Sequence, residues 1–274
     1  MASLVRLRSP LRYPGGKQKA VPVIASMLPG GRVAEYREPM LGGGSVYFHV
    51  RERDFASTYW LNDLFTELVS FYSCVRDEEL CKRLVGDLTE LRESLESPEQ
   101  AREFFLAARQ EKPDDPYRQA FLFFFFNRVT FSGTTRAGGF SKAAAAKRFT
   151  QSAINRLEIM PGALKGVRLT NMNVFDVVSA PGKDVFIFLD PPYYQASRLY
   201  GRDGSLHSFD HEELASRLSR SDHRFLITYD DCPEIRSLYK WARIEPFKLQ
   251  YGMNNCNRER TSKIGEEIFI ANYS

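Results

Sequence analysis

The sequence has no stretch long enough to carry it across a membrane. Its longest apolar run covers residues 120–126, whereas a membrane-spanning helix needs about 20 apolar residues. The first ten residues hold two arginines but no apolar segment of the length that a secretory signal requires. We therefore expect a cytoplasmic protein without membrane contact, and we interpret residues 120–126 as part of a buried helix.

Cysteines are few, and they form no metal-binding or disulfide pattern. The four cysteines are scattered, with no Cys-X-X-Cys pair, which is typical of reduced thiols and predicts no metal site. A Walker phosphate loop, which closes with Gly-Lys-Ser/Thr, is missing too. Gly44 is followed directly by Ser45, and Lys17 is followed by Gln18. A ligand that carries a polyphosphate is therefore not expected.

Positive charge, by contrast, is concentrated in one part of the chain. The net charge of +4 by itself fits many partners. Residues 128–168 are rich in lysine and arginine, and Glu158 is the one acid among them, whereas residues 77–111 are rich in acids. This distribution favours contact with a polyanion on one face of the protein. A solvated basic surface is the alternative that composition leaves open.

Apolar segments of strand length alternate with segments of helical periodicity. Because these segments are continuously apolar, they predict strands buried on both faces of a parallel sheet. The predicted strands cover residues 33–38, 58–61, 167–170, 185–189 and 225–228, and residues 243–251 and 267–271 form a hairpin-like pair. The pattern predicts an α/β protein with an open, mostly parallel sheet of seven strands.

The middle of the chain breaks this alternation. It is first helical, then aromatic, glycine-containing and basic. We predict a mainly helical inserted domain at residues 70–149, within a domain formed by residues 1–69 and 150–274. The aromatic run inside the insertion is interpreted as helix core.

A glycine-rich turn joins the first predicted strand to a helix. Residues 38–45 are Glu-Pro-Met-Leu-Gly-Gly-Gly-Ser. Glycines let the backbone approach a ligand closely, and the helix N-terminus offers unpaired N–H groups. The next strand ends at Asn62-Asp63, where an acid commonly binds the ribose hydroxyls of a nucleoside. S-adenosylmethionine fits such a site. The alternative is a turn without a ligand, with Asp63 capping the following helix.

A stiff loop follows the strand at residues 185–189. Residues 190–193 are Asp-Pro-Pro-Tyr, and the two prolines restrict the backbone, so the Asp190 carboxylate and a neighbouring carbonyl point in fixed directions. Two such acceptors can hold the hydrogens of an exocyclic amine, while Asp190 stabilises its developing positive charge or takes its proton. Tyr193 offers a ring for a flipped-out base. An ordinary strand-terminating turn is the alternative.

These motifs, in this order, resemble those of the Dam-type (D12 class) DNA adenine-N6 methyltransferases over nearly the whole chain. Residues 12–17, Arg-Tyr-Pro-Gly-Gly-Lys, look like the N-terminal cofactor motif of that family, and residues 38–46 look like its glycine loop, although phenylalanine is commoner there than Met40. Residues 190–193 look like its catalytic motif. Residues 229–231, 254–255 and 266–268 resemble its last third.

The resemblance implies a methyltransferase sheet, S-adenosylmethionine as methyl donor, and a set of site residues. The implied catalytic residues are Asp190, Pro191, Pro192 and Tyr193. The implied cofactor-binding residues are Tyr13, Gly16, Lys17, Pro39, Met40, Gly42, Gly44, Ser45, Asp63, Phe175 and Asp190. Lys17 is expected to reach the active-site carboxylate or the flipped base, with a surface position as the alternative.

Residues 126–136 resemble the DNA-recognition segment of the same family. There an aromatic residue at the position of Phe131 wedges into the duplex, and an arginine at the position of Arg136 recognises a guanine; core packing is the alternative for Phe131. The implied DNA-binding residues are Asn127, Arg128, Phe131, Ser132 and Arg136. The polar hairpin of the family is replaced by Lys-Ala-Ala-Ala-Ala-Lys at residues 142–147, so the target sequence cannot be transferred.

The predicted function is site-specific transfer of a methyl group from S-adenosylmethionine to N6 of a flipped-out adenine in double-stranded DNA, with no metal and no obligate protein partner. Cytosine-N4 methylation of DNA and adenine methylation of RNA use the same amine chemistry, but cytosine-N4 enzymes commonly have serine where Asp190 stands. A non-catalytic nucleic-acid-binding module is the third alternative. The presence of Asp190, Asp63 and the glycine loop argues against it.

Overall fold

The computed structural model describes residues 7–13, 15–194, 209–250 and 264–274, with the backbone alone at 248–250 and 264–266. Its strands are β1 (Val33–Glu38), β2 (Ala56–Asn62), β3 (Arg168–Thr170), β4 (Val185–Leu189), β5 (Arg224–Asp230), β6 (Arg243–Gln250) and β7 (Ile264–Ala271). In the described residues they form a seven-stranded sheet in the order β3-β2-β1-β4-β5-β7-β6. β1, β4 and β5 are parallel, and β7 is antiparallel to β5 and β6. The predicted α/β fold and its C-terminal hairpin are confirmed.

Helices occupy most of the chain between the strands. They are α1 (Val21–Met27), α2 (Ser45–Glu52), α3 (Thr66–Arg76), α4 (Glu78–Ser94), α5 (Pro98–Gln110), α6 (Pro116–Val129), α7 (Lys142–Arg148), α8 (Gln151–Asn155), α9 (Met160–Ala163), α10 (Val174–Ser179), α11 (His211–Ser219) and α12 (Pro233–Leu238). Short 3₁₀ turns cover Lys17–Lys19, Phe131–Gly133 and Thr135–Ala137.

The central strand β4 is buried along its whole length, as its continuous apolar sequence predicts. Its side chains and those of β5 pack against Leu214 and Leu218 of α11 and Ile235 of α12. Burial of one such leucine or isoleucine contributes about 1.5–3 kcal/mol. The loop that follows β4 therefore leaves from a firmly anchored strand.

Two compact units divide the chain. The first comprises Met1–Gln18, Leu41–Asp54 and Leu61–Asn171, and the second comprises Lys19–Met40, Phe55–Trp60 and Met172–Ser274. The predicted insertion at residues 70–149 lies wholly inside the first unit. That unit is larger than the predicted insertion, since it also contains the glycine loop from Leu41 onward and helices α8 and α9. Residues 70–149 as a separate recognition domain stay a prediction.

The aromatic run of the first unit is helix core, as predicted. Residues 121–126 all lie in α6 and are all buried. The ring of Phe124 stacks near Phe71 of α3, with 5.9 Å between centroids, and Phe126 meets Phe105 of α5 edge to face at 5.5 Å. Asp115 begins the helix by accepting hydrogen bonds from the first backbone N–H groups, which those groups need because they have no intrahelical partner.

None of the helices described has the length and apolar character needed to cross a membrane. Within the same residues, no group of three or more histidine, cysteine or acidic side chains is arranged to hold a metal ion. Cys74, Cys81 and Cys232 are free and buried. Cys256 lies outside the described residues.

Candidate active site

The loop at residues 190–193 begins where β4 ends, and its carboxylate is held from the neighbouring strand. Thr228 of β5 donates its hydroxyl hydrogen to Oδ1 of Asp190 over 2.7 Å. Thr228 is fully buried, whereas Asp190 is half-buried and can be reached by a ligand. The carboxylate therefore has one oxygen fixed by a rigid donor. The sequence did not reveal the role of Thr228, because no local pattern identifies the residue whose side chain contacts Asp190.

The far end of this loop is tied to β5 as well. The backbone N–H of Tyr194 donates to Oδ1 of Asp230 over 2.9 Å. Burial, and then the carboxylates of Asp190 and Glu267, raise the pKa of the Tyr193 phenol. The phenol therefore stays protonated at physiological pH. Tyr193 is still partly exposed, which leaves a surface on which a base can stack.

Pro39 and Met40, which follow β1 in the second unit, lie at the same edge of the sheet as Asp190. β1 and β4 are parallel neighbours, with Arg37 opposite Ile187, so their carboxyl ends coincide. Pro39 is buried and Met40 is partly exposed at this edge. Ligands of open α/β sheets bind outside the carboxyl ends of the strands. The beginning of the glycine loop and the catalytic loop are thus placed as the sequence predicts.

In the first unit, Asp63 joins the glycine loop to α3. Its Oδ2 accepts a hydrogen bond from the N–H of Gly42 over 2.8 Å, and its Oδ1 accepts one from the N–H of Phe65 over 3.0 Å. Burial raises the pKa of Asp63, and these backbone N–H groups oppose that shift. The hydrogen bond from Phe65 agrees with the alternative that Asp63 caps the following helix. Each carboxylate oxygen can still accept a second hydrogen bond. Ribose binding by Asp63 is therefore compatible with both contacts.

The glycine loop is packed against Tyr13. Gly42 has a φ of +47°, and a Cβ on it would lie 2.9 Å from Cε1 of Tyr13; a Cβ on Gly43 would lie 2.9 Å from Cβ of Tyr13. Gly44 has a φ of +65° and directly precedes Ser45, the first residue of α2. Residues with side chains rarely adopt such φ values and would collide with the ring. The loop can therefore approach Tyr13 closely only with glycine.

Gly16 and Lys17 each make a hydrogen bond within the N-terminal motif. The N–H of Gly16 donates to the carbonyl of Tyr13 over 2.9 Å. Lys17 is 6% exposed, and its Nζ lies 3.5 Å from the carbonyl oxygen of Gly15. Lys17 is thus a buried residue and not a surface one, while its predicted contact with a carboxylate or base stays a prediction. Pro14 lies outside the described residues.

Phe175 lies in the first turn of α10, in the second unit. The Oδ1 of Asn173 accepts a hydrogen bond from its N–H over 3.0 Å. The guanidinium of Arg217 lies 5.3 Å from the centre of its ring, and the ring of Phe209 lies 6.0 Å away. Phe175 is half-exposed. An oriented, partly open ring of this kind suits contact with a purine.

A family model described as D12 class N6 adenine-specific DNA methyltransferase matches residues 13–253. The chain belongs to this family. The match confirms the resemblance drawn from the motifs and the predicted enzyme class, an adenine-specific DNA methyltransferase.

Several named proteins are similar in sequence to this chain. The type II methyltransferase M.MjaIII of Methanocaldococcus jannaschii is 24% identical over 201 residues, which cover 67% of this chain and 68% of the relative. The DNA adenine methylase of Salmonella typhi is 26% identical over 283 residues, or 96% and 95% of the two chains. That of Escherichia coli is 33% identical over 132 residues, or 47% and 43%. Among solved structures, the rRNA methyltransferase aviRa from Streptomyces viridochromogenes has 16% identity and a TM-score of 0.39, over 98% of this chain and 90% of that one.

Two of the residues that the D12 resemblance assigns to DNA contact are buried in this methyltransferase. Asn127 is fully buried; its Oδ1 accepts from the N–H of Arg12 over 3.0 Å and its Nδ2 donates to the carbonyl of Arg12 over 2.5 Å. Arg128 donates from Nη2 to the carbonyl of Pro10. Both therefore hold the N-terminal segment against α6. Asn127 would have to break these hydrogen bonds in order to contact DNA. The contact of Asn127 with DNA stays a prediction.

The loop after α6 presents an aromatic side chain on a constrained backbone. Phe131 is 61% exposed, so it is not part of the core. Ser132, Gly133 and Thr135 have φ values of +52°, +76° and +53°, and a Cβ on Gly133 would collide with the carbonyl of Arg12. Positive φ is costly for a β-branched residue such as Thr135, and such strain is common at functional sites. The exposed ring suits the predicted wedge.

Arg136 is held from one side by the end of α5. Its Nη1 donates to the carbonyls of Arg109, over 3.0 Å, and Glu111, over 2.7 Å, and its guanidinium lies 5.2 Å from the ring centre of Phe126. Arginine has five N–H donors, whereas a bidentate contact with guanine uses two. The fixed guanidinium therefore retains donors for a base, and this role stays a prediction.

Proposed function

We propose that this adenine-specific DNA methyltransferase takes its methyl group from S-adenosylmethionine and acts, in the cytoplasm, on N6 of an adenine flipped out of double-stranded DNA at a specific sequence. The observation that carries the proposal is the Asp190 carboxylate, which Thr228 orients at the carboxyl edge of the sheet. An oriented acceptor on a stiff loop is what an exocyclic amine requires.

The residues present fit a nucleoside cofactor. The Asp63 carboxylate is held by backbone N–H groups, among them those of Gly42 and Phe65, and each carboxylate oxygen can accept more than one hydrogen bond, which allows contact with ribose hydroxyls. The glycine loop leaves no room for side chains next to Tyr13. When bound, S-adenosylmethionine supplies an electrophilic methyl group on a sulfonium.

The catalytic loop holds and deprotonates the amine in this proposal. Asp190 accepts one N6 hydrogen, and a backbone carbonyl of the Asp-Pro-Pro segment accepts the other, so that the nitrogen lone pair turns toward the methyl group. Asp190 would stabilise the positive charge that develops on nitrogen and would take the proton, while the methyl group moves from sulfur to N6, the C–S bond breaks and S-adenosylhomocysteine leaves. The neutral Tyr193 stacks on the base, which offsets part of the few kcal/mol that flipping costs.

Nucleoside analysis of the reaction product tests this proposal. The purified protein is incubated with labelled S-adenosylmethionine and either duplex DNA or RNA, and the digested nucleosides are separated and identified by mass. We expect N6-methyladenine from the duplex DNA alone. N4-methylcytosine, or methylation confined to RNA, would contradict the proposal in favour of one of the two related enzyme classes.

The raised pKa of Asp63 predicts that cofactor binding depends on pH. The ionised carboxylate accepts the ribose hydroxyls and the protonated form does so less well. Because burial raises the pKa of Asp63, affinity should begin to fall at a higher pH than a solvent-exposed aspartate would give. Calorimetric titration with S-adenosylhomocysteine, from neutral to acidic pH, measures this. Asp63→Asn should bind weakly throughout and lose the pH dependence; equal pH profiles for both proteins would exclude Asp63 as the group.

Sequence recognition by Arg136 is tested by two substitutions. If Arg136 contacts a base, Arg136→Ala should lower preference for the target by about 1–3 kcal/mol, more than it lowers affinity for unrelated DNA. Arg136→Lys keeps the charge but not the planar fork, so it should lose the preference too. Competition binding with target and unrelated duplexes measures both. A uniform loss for Ala and full recovery by Lys would indicate a phosphate contact instead.

A further inference from the structure

The catalytic loop is anchored through Tyr194, directly after its last residue. Pro191 and Pro192 have no N–H group to donate, so neither can tie the loop to a neighbouring strand through its backbone nitrogen. The N–H of Tyr194 does so by donating to Oδ1 of Asp230 over 2.9 Å. The side chain of Tyr194 packs against the core that β4 and β5 share with α11 and α12. The position of this side chain therefore helps to set where the loop ends.

His211, the first residue of α11, contacts the Tyr194 side chain. The two rings meet edge to face, with 5.2 Å between centroids and 66° between planes, which is a favourable arrangement for aromatic rings. The helix begins at His211 because the Asp210 side chain accepts a hydrogen bond from the N–H of Glu213, and Leu214 anchors the helix in the core. The backbone of His211 is thus fixed by a capped and packed helix.

The imidazole of His211 is fixed as firmly as its backbone. Its Nδ1 shares a hydrogen bond of 2.7 Å with the hydroxyl of Tyr229, a fully buried residue of β5, and the ring of Phe209 meets it at 4.9 Å and 74°. Its Nε2 is buried and makes no hydrogen bond with any residue that the structure describes. Burial lowers the pKa of His211, against the opposing effect of Asp230 and Asp210. His211 therefore presents an oriented, uncharged ring to the loop at physiological pH.

We propose that His211 is a positioning residue for methyl transfer, whose ring holds the Tyr194 side chain and, with it, the end of the catalytic loop. Two consecutive residues of β5 then fix this end. Asp230 binds the backbone of Tyr194, while Tyr229 orients the ring that packs against its side chain. His211 acts through Tyr194 in this proposal and is not assigned to acid–base chemistry.

The start of the loop depends on the same strand, since Thr228 of β5 orients Asp190. A loop held at both ends keeps its carboxylate and its carbonyl acceptors at a constant distance from the amine. A displacement of about 1 Å in such a site can slow a reaction about 10²-fold. The inference rests on the proposed function, because it assumes that residues 190–193 carry out the chemistry.

Three substitutions of His211 separate its ring from its hydrogen bond. His211→Ala removes both and should slow single-turnover methylation of duplex DNA roughly 10- to 100-fold, with an unchanged affinity for S-adenosylhomocysteine. His211→Phe keeps a ring beside Tyr194 and should recover most of the rate. His211→Asn keeps a hydrogen-bonding atom near the position of Nδ1 but has no ring, so it should be as slow as His211→Ala.

The fold of each variant is checked by thermal unfolding. His211→Phe leaves the buried hydroxyl of Tyr229 without its hydrogen bond to the imidazole. If that variant melts early, His211→Phe/Tyr229→Phe takes its place, since removal of both partners of a buried hydrogen bond can be nearly neutral. This second variant should also methylate faster than His211→Ala.

His223→Ala is the matched control. His223 is partly buried, its Nε2 lies 2.9 Å from the carbonyl oxygen of Ala180, and it precedes β5 at the end opposite Asp230. This variant loses the same group far along the strand from the loop and should methylate at the wild-type rate. A double-mutant cycle adds a second test: in a Tyr194→Ala background, His211→Ala should cause no further loss of rate.

Three results would overturn the inference. They are a wild-type rate for His211→Ala, recovery by His211→Asn but not by the phenylalanine variants, and additive losses for His211→Ala and Tyr194→Ala. The Asp190→Asn variant distinguishes this failure from that of the proposed function. A slow Asp190→Asn together with a fully active His211→Ala removes this inference alone. Wild-type rates for both variants remove the catalytic role proposed for the loop as well.

Discussion

Asp190→Asn is expected to lower the rate of adenine methylation by about 10²- to 10⁴-fold, while cofactor affinity changes little. The substitution keeps the size of the side chain and can keep the hydrogen bond from Thr228. It replaces an anionic acceptor by a neutral amide, which neither stabilises a positive nitrogen nor takes its proton. Single-turnover methylation with saturating cofactor measures the chemical step directly.

Asp184→Asn is the matched control for this experiment. Asp184 precedes β4 at the opposite end of the strand, where it is paired with Arg224 at 2.6 Å. Both partners are substantially exposed, and loss of such a pair changes stability by about 0–1 kcal/mol. The control should therefore methylate at the wild-type rate. If Asp190→Asn methylates adenine at the wild-type rate, the role proposed for Asp190 is wrong and another group accepts the proton.

The sheet could be predicted because its central strands β4 and β5 are buried on both faces. β4 has the predicted bounds, since its five apolar residues are all buried; β1 also has the predicted bounds, although three of its six residues are charged. β2 is longer than predicted at both ends, because Ala56 and Asn62 are buried by tertiary contacts and not by a local apolar pattern. The glycine loop and the catalytic loop could be predicted for a related reason. Each is a short segment with an unusual backbone requirement, visible as adjacent glycines or prolines.

Contacts between distant segments could not be predicted in this way. Thr228 acts on Asp190 through strand register, and Asn127 binds Arg12 across 115 positions of sequence. The motif containing Asn127 and Arg128 predicts polar residues near DNA but does not show whether each one is exposed. A basic cavity of the first unit is a further case, since the residues that line it come from four separate stretches of the chain. A charge-rich sequence shows that cations are present, while only the fold shows which of them lack a partner.

Gly42→Ala is expected to weaken cofactor binding by roughly 10- to 100-fold, at a site that holds no functional group of its own. An L-residue at a φ of +47° is strained by about 1–2 kcal/mol, and the added Cβ would lie 2.9 Å from the Tyr13 ring. The loop can relieve both by moving away from Tyr13. That movement also lengthens the hydrogen bond from the Gly42 N–H to Asp63, so the acid expected to bind ribose loses one of the backbone N–H groups that hold it.

Gly86→Ala distinguishes this local effect from a general effect of adding a methyl group. Gly86 lies within α4, and a Cβ there would meet nothing within 4 Å. Because alanine favours a helix over glycine by about 1 kcal/mol, this control should unfold at an equal or higher temperature and bind S-adenosylhomocysteine normally. Calorimetric affinity and thermal unfolding are measured for both variants. If Gly42→Ala binds S-adenosylhomocysteine as tightly as Gly86→Ala does, the glycine loop has a structural role only. The cofactor then does not bind against this loop, which Tyr13 and Asp63 hold in place.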